Sequence, residues 1–165
     1  MITVRSRIIR LLLPAMLLLP LRVDAAAGKL EWQPLAALIG QAPDASTTQK
    51  FIESAGKPRE WRTEARRVVR FPKCGVSLEI VDGKIRTVTL QIAPGSKIGD
   101  SGYQGSLPFD RAAIDSGPEK AIATLGKPGG QGVHEGDLVY DRQGFRFTLI
   151  YRPQLDYITI RTLEK

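Results

Sequence analysis

Apolar and polar residues alternate with a period of two through four stretches of the chain. Val76, Leu78 and Ile80 form one apolar set and Val88, Leu90 and Ile92 a second. Phe145, Phe147, Leu149 and Tyr151 form a third, and Ile158 and Ile160 a fourth. Successive side chains of a strand point to opposite faces, so each stretch predicts a strand with one buried side. The intervening positions are polar in the first region (Ser77, Glu79, Thr87, Thr89, Gln91) and mixed in the second (Arg146, Thr148, Ile150, Arg152, Tyr157, Thr159, Arg161). An antiparallel sheet tolerates such a wet face. Asp82-Gly83, between the first two stretches, is a strong signal for a two-residue hairpin turn.

Two further segments have helical character. Residues 46–58, STTQKFIESAGKP, and residues 116–128, SGPEKAIATLGKP, both end in Gly-Lys-Pro. Ser46 with Gln49, and Ser116 with Glu119, have the spacing of a capping box, and the glycine and later proline suit a helix end. A short apolar piece precedes each: Trp32 to Ile39 and Leu107 to Ile114, with Pro34 and Pro108 placed for a helix's first turn. Gly56 to Gly75 is 19 residues against 18 from Gly126 to Gly144, and Gly75 to Val88 is 13 against 14 from Gly144 to Ile158. These spacings predict a repeat of about 70 residues.

The expected fold class is therefore α+β, two tandem copies of a helix-helix-antiparallel-sheet unit. Helices would pack on one sheet face and leave the other exposed. Repeat one covers about 30–92, a Gly-, Ser- and Pro-rich linker about 93–105, and repeat two about 106–163. The linker lacks the Gly-Lys-Ser/Thr ending of a phosphate-cradling loop.

Residues 1–27 read as a cleavable signal peptide. Arg5, Arg7 and Arg10 precede an apolar run from Leu11 to Leu21, and small residues follow at Ala25, Ala26 and Ala27. The run is eleven residues and contains Pro14 and Pro20, short of the roughly 20 apolar residues that span a membrane. Cleavage near Ala25 or Ala27 leaves a single mature domain, 28–165, that is periplasmic or secreted. No lipid-acceptor Cys stands at that point, so no membrane anchor is expected. The net charge falls from +7 for the 165-residue chain to +4 after cleavage, so much of the apparent basicity belongs to the signal.

The short helix ending in Leu-Gly-Lys-Pro, Leu125 to Pro128, followed by strands, resembles the repeat of small secreted domains related to β-lactamase inhibitory protein and to the small outer-membrane assembly lipoprotein of the SmpA/OmlA type. Two tandem copies are closer to the inhibitory protein's arrangement. The resemblance implies two helix-and-sheet units side by side, whose joined sheet makes a concave face that grips a protein partner.

Candidate chemistry is sparse. Cys74 is the one cysteine, so an internal disulfide is excluded. His134 is the one histidine; with Glu135 and Asp137 it offers imidazole and carboxylates, but a zinc site needs three or four ligands and no second His or ligand-spaced Cys is near. A solvated hairpin loop is the reading here, with no metal and no cofactor. No serine stands in a Gly-x-Ser-x-Gly context. Catalysis by Cys74 with His134 is left open by sequence distance alone, and no feature singles out a carboxylate pair.

The sharpest signal is charge asymmetry between the copies. Lys57, Arg59, Arg62, Arg66, Arg67, Arg70 and Lys73 surround Trp61 with only Glu60 and Glu64 against them, whereas Lys127 to Arg142 is close to neutral. Such a run is an ordinary solvated face or an interface for an acidic partner, since Trp, Tyr and Arg are enriched at binding hot spots. The expected partner-binding residues are Arg59, Trp61, Arg62, Arg66, Arg67, Arg146, Arg152, Tyr157 and Arg161. Nucleic acid is not an expected partner, because no recognition motif accompanies the charge. The sequence points to a non-catalytic protein-binding module, such as an inhibitor or immunity protein against a secreted enzyme or toxin. The competing class is a structural or accessory component of an envelope assembly at the outer membrane or cell wall.

Overall fold

The computed structural model describes residues 30–93, 101–132 and 134–163. The predicted signal peptide and its cleavage points, along with residues 94–100 of the predicted linker, lie outside the described residues. The elements run α1 (Trp32–Ala36), α2 (Ser46–Ala55), β1 (Arg59–Arg62), β2 (Arg67–Phe71), β3 (Val76–Val81) and β4 (Lys84–Gln91). They continue with α3 (Arg111–Asp115), α4 (Pro118–Leu125), β5 (Gly130–Gln131), β6 (Leu138–Arg142), β7 (Phe145–Tyr151) and β8 (Leu155–Thr162). All strands join one antiparallel sheet in the order β1-β2-β3-β4-β8-β7-β6-β5.

This corrects the expected fold class. Among the described residues the molecule is mostly β, with four short helices and a single sheet, and is not two tandem helix-helix-sheet units. The reason lies at the centre, where β4 and β8 pair through Val88 with Ile160 and Leu90 with Ile158. All four side chains are fully buried, so the core runs unbroken through the middle of the sheet. Separating the halves there would expose two long strand edges with unpaired backbone groups.

A second link crosses between the halves. Trp32 of α1 packs edge-on against Phe147 (5.4 Å between ring centroids) and Phe145 (6.2 Å) of β7, in the other half of the chain. Phe109 also meets Phe147 edge-to-face at 5.2 Å, a geometry aromatic pairs favour. The exit of α1 is pinned to β4, with Gly40 N–H donating to Ile85 O and Ile85 N–H to Gln41 O. Tyr103, in the segment read as a linker, is fully buried, and its hydroxyl donates to Leu30 O at 2.8 Å and lies 3.1 Å from Ser106 O.

Alternation decides which side of each strand is buried. β3 has Val76, Leu78 and Ile80 buried with Ser77 and Glu79 only partly so, and β7 buries Phe147, Leu149 and Tyr151. The Asp82-Gly83 turn closes β3 onto β4 with φ of 51° and 70°. The helix starts differ from expectation. Ala45 is the N-cap of α2, and Gln49 Nε2 donates to Pro43 O instead of closing a capping box. Ser116 closes α3 and donates its hydroxyl to Ala112 O, while Gly117 precedes Pro118 at the start of α4. Pro108 is outside any helix, and the Asp110 side chain caps α3 by accepting from Ala112 N–H. Among the described residues no helix is long and apolar enough to cross a membrane.

Candidate partner-binding face

All four helices contribute to the core on one side of the sheet, through Trp32, Phe51, Ile114 and Ala121. The opposite side is built from the polar half of each alternation. Directly opposed residues of antiparallel strands share a face, so the register can be followed from edge to edge. One row runs Arg59, Arg70, Ser77, Thr89, Thr159, Thr148, Val139 and Gly130. A second runs Trp61, Val68, Glu79 and Thr87, and is continued by Arg161, whose Nε donates to Thr87 Oγ1 at 3.1 Å. Arg161 in turn opposes Arg146, and Arg146 opposes Asp141. A third holds Gln91, Tyr157 and Ile150.

The predicted residues divide along these rows. Arg59, Trp61, Arg146, Tyr157 and Arg161 share the open face, and Trp61 is 47% exposed. Arg66, in the turn before β2, reaches the same face through its ion pair with Glu79 at 3.1 Å. Arg62 and Arg67 do not join them. They oppose one another on the helix side of the edge, where Arg67 grips Glu60 through two hydrogen bonds of 3.0 and 2.7 Å. That grip holds the Glu60 carboxyl below its usual range. Arg152 follows β7, outside the rows, and pairs with Asp137 at 3.0 Å.

On the β5–β8 half the open face deepens into a concavity of about 540 Å³. Arg146, Arg161, Thr148, Thr159 and Ile150 form its floor, and the loop carrying His134 and Asp137 forms its wall with Gly129, Gly130 and Gly132. Asp137 is only 4% exposed, while His134, Glu135 and Gly136 before it are exposed, so the loop faces solvent and ends on a buried carboxylate. Its carboxylate accepts from His134 N–H (3.2 Å) and from Arg152 Nη1 (3.0 Å) and thereby folds the loop back on itself. Gly132 makes the close approach possible, since a Cβ there would fall 2.2 Å from the Asp137 Cβ. Arg146 is held by a two-bond grip on Asp141, both at 3.0 Å, which keeps the Asp141 carboxyl below its usual range.

Thr148, Thr159, Ile150 and Asp137 were not among the residues expected to act. The first three could have been found by continuing the alternation through Arg146 and Arg161; Asp137 carries no local signal. Toward the middle of the sheet, Arg70 donates to Gln91, and burial raises the Asp156 carboxyl against the opposing pull of Arg152 and Arg70.

The geometry offers little for catalysis by Cys74 with His134. Cys74 sits in the β2–β3 turn and His134 between β5 and β6, with β4, β8 and β7 intervening. At about 4.8 Å per strand this is on the order of 19 Å or more. Burial also pushes the Cys74 thiol up to about 11, which disfavours the reactive thiolate. Among the described residues no group of three or more His, Cys, Asp and Glu is placed to hold a metal ion. Comparison with known proteins gives no match to the chain from family models, curated proteins or solved structures.

Proposed function

We propose that this chain is a non-catalytic exported protein that holds an acidic protein partner on the open face of its sheet, blocking of a secreted enzyme or toxin being the concrete version. The observation that carries the reading is the make-up of that face. Arg59, Trp61, Arg146, Tyr157 and Arg161 lie among threonines on one surface, while the helices cover the other. Aromatic and arginine anchors among small polar residues are the composition of protein interfaces, and positive charge selects and steers an acidic partner. Export is supported by Arg5, Arg7 and Arg10 ahead of the Leu11 to Leu21 run.

The test is affinity capture of the tagged chain from the cell envelope, with wild type run beside the variant Arg146→Ala, Tyr157→Ala, Arg161→Ala. A defined partner retained by wild type and lost by the variant is the expected result. Equal retention by both would place binding elsewhere.

One observation favours an accessory role in an envelope assembly instead. β1 is an outer strand, its four residues are all exposed, and it carries Trp61. Co-purification with wall or membrane fractions that is lost at high salt and depends on Trp61 would support that reading.

A further inference from the structure

The concavity over β5–β8 contains an arrangement that a general binding face does not require. Arg146 and Arg161 stand directly opposite one another on neighbouring strands. Like charges at that position destabilise a sheet. Asp141 grips Arg146 from one side. Arg161 donates Nε to Thr87, a bond that orients the guanidinium while leaving its charge without a carboxylate partner among the described residues. Asp137, the acid in the wall, is already bound to Arg152 and to His134 N–H. The concavity thus has two oriented guanidiniums, two hydroxyls (Thr148, Thr159) and apolar Ile150 at its floor, with Val139 also lining it.

We infer that this concavity captures the carboxylate of an Asp or Glu side chain projecting from a protein partner, with Arg161 as the principal clamp and Arg146 beside it. The inference deepens the functional reading above and rests on it. Three features favour this occupant. The guanidinium fork matches a carboxylate in two parallel hydrogen bonds. A volume of about 540 Å³ falls within the roughly 300–1,000 Å³ of ligand clefts and admits a loop tip carrying the carboxylate. The floor residues Thr148 and Thr159 also belong to the row that crosses the whole face, so a group seated here is continuous with a partner lying across the sheet.

The experiment titrates the ¹⁵N-labelled chain with acetyl-Ala-Glu-Ala-amide, with its neutral counterpart acetyl-Ala-Gln-Ala-amide, and with glutarate. The signals followed are the backbone amides of Gly129, Gly130, Gly132, Thr148 and Thr159. The Glu peptide is expected to shift these signals saturably and to bind about ten-fold or more tighter than the Gln peptide, as loss of a charge-assisted pair predicts. Arg161→Gln should weaken the Glu peptide by about the same factor and Arg161→Lys by less, whereas Lys50→Gln, on exposed α2 across the sheet, should leave it unchanged. Should Arg161→Gln fail to fold, the two peptides on wild type and the Arg161→Lys variant still decide. Equal binding of the two peptides, or an affinity indifferent to Arg161, overturns the inference. Tighter binding of glutarate than of the Glu peptide also overturns it, in favour of a free small acid. If capture from the envelope depends on Arg146, Tyr157 and Arg161 but the peptides are not discriminated, the face binds by other means and only this inference fails.

Discussion

The two ends of the sheet carry the same succession of elements but treat their outermost strand differently. β1 is four residues of exposed, mostly charged chain, Arg59-Glu60-Trp61-Arg62, a composition that discourages edge-to-edge pairing. β5 is two residues, Gly130-Gln131, and the exposed residues His134 to Gly136 that follow lead into buried Asp137. One end therefore stays open and the other curls over the open face to make the concavity. A locally repeated pattern sets the order of elements; single buried residues such as Asp137 decide what each end becomes.

The strongest way to break this comparison is through the shared core. Phe147 is fully buried between Trp32 and Phe109, and Phe147→Ala should cost about 3–5 kcal/mol. Because Trp32 lies before the first four strands in sequence and packs on β7, denaturant unfolding followed by backbone signals of β3 and of β7 should give one shared midpoint. Separate midpoints would make the halves independent units.

The next effect contrasts two ion pairs. Arg152→Ala leaves the buried Asp137 side chain without its charge partner. Removing one member of a buried pair costs about 3–5 kcal/mol, and because Arg152 is itself partly exposed we expect about 2 kcal/mol, read as a lowered denaturation midpoint. Arg66→Ala removes the exposed pair with Glu79 at the other end and should cost at most about 0.5 kcal/mol. Similar losses from both would mean that Asp137 does not hold its loop.

Smaller still are the hairpin turns. Gly83 and Gly144 have φ of 70° and 82°, with open space where a Cβ would stand. Alanine at either should cost about 1–2 kcal/mol from left-handed backbone alone, and the two thermal shifts should agree.

The smallest effect is acid sensitivity. The Glu60 and Asp141 carboxyls are both held below their usual range by a gripping arginine. Their stabilisation is present above the unfolded carboxylate range near 4 and is lost as pH falls through the lowered folded values. Asp156, raised by burial, opposes this trend, since protonation relieves its cost as pH falls through its raised value. Melting temperatures from pH 6 to 3 should fall slightly less in Glu60→Gln than in wild type; identical curves would remove any role for the Arg67 grip.

What could be read from the sequence was what alternation and turn chemistry encode locally. Leu78 and Ile80 point inward and Ser77 and Glu79 outward because a strand leaves no other choice, and Asp82-Gly83 turns where such a pair should. The single sheet was hidden because β4 meets β8 about 70 residues away and α1 crosses onto β7, pairings that no local pattern specifies. The basic cluster was visible as charge but not as geometry. Trp61 and Arg62 are neighbours in sequence, yet β1 sends them to opposite faces, so the cluster around Trp61 divides where the same alternation rule, applied to that strand, would have divided it. Asp137 lies in a run of glycines and polar residues and gives no sign of its burial.

The most direct test of the account compares the two ends by partner capture. The variant Arg146→Ala, Tyr157→Ala, Arg161→Ala removes the anchors around the concavity, and Arg62→Ala, Arg67→Ala removes charge from the helix side of β1. Retention of a defined envelope partner should be lost in the first and kept in the second, with both variants folded by circular dichroism. Retention by the first variant and loss by the second would contradict the assignment of binding to the open face.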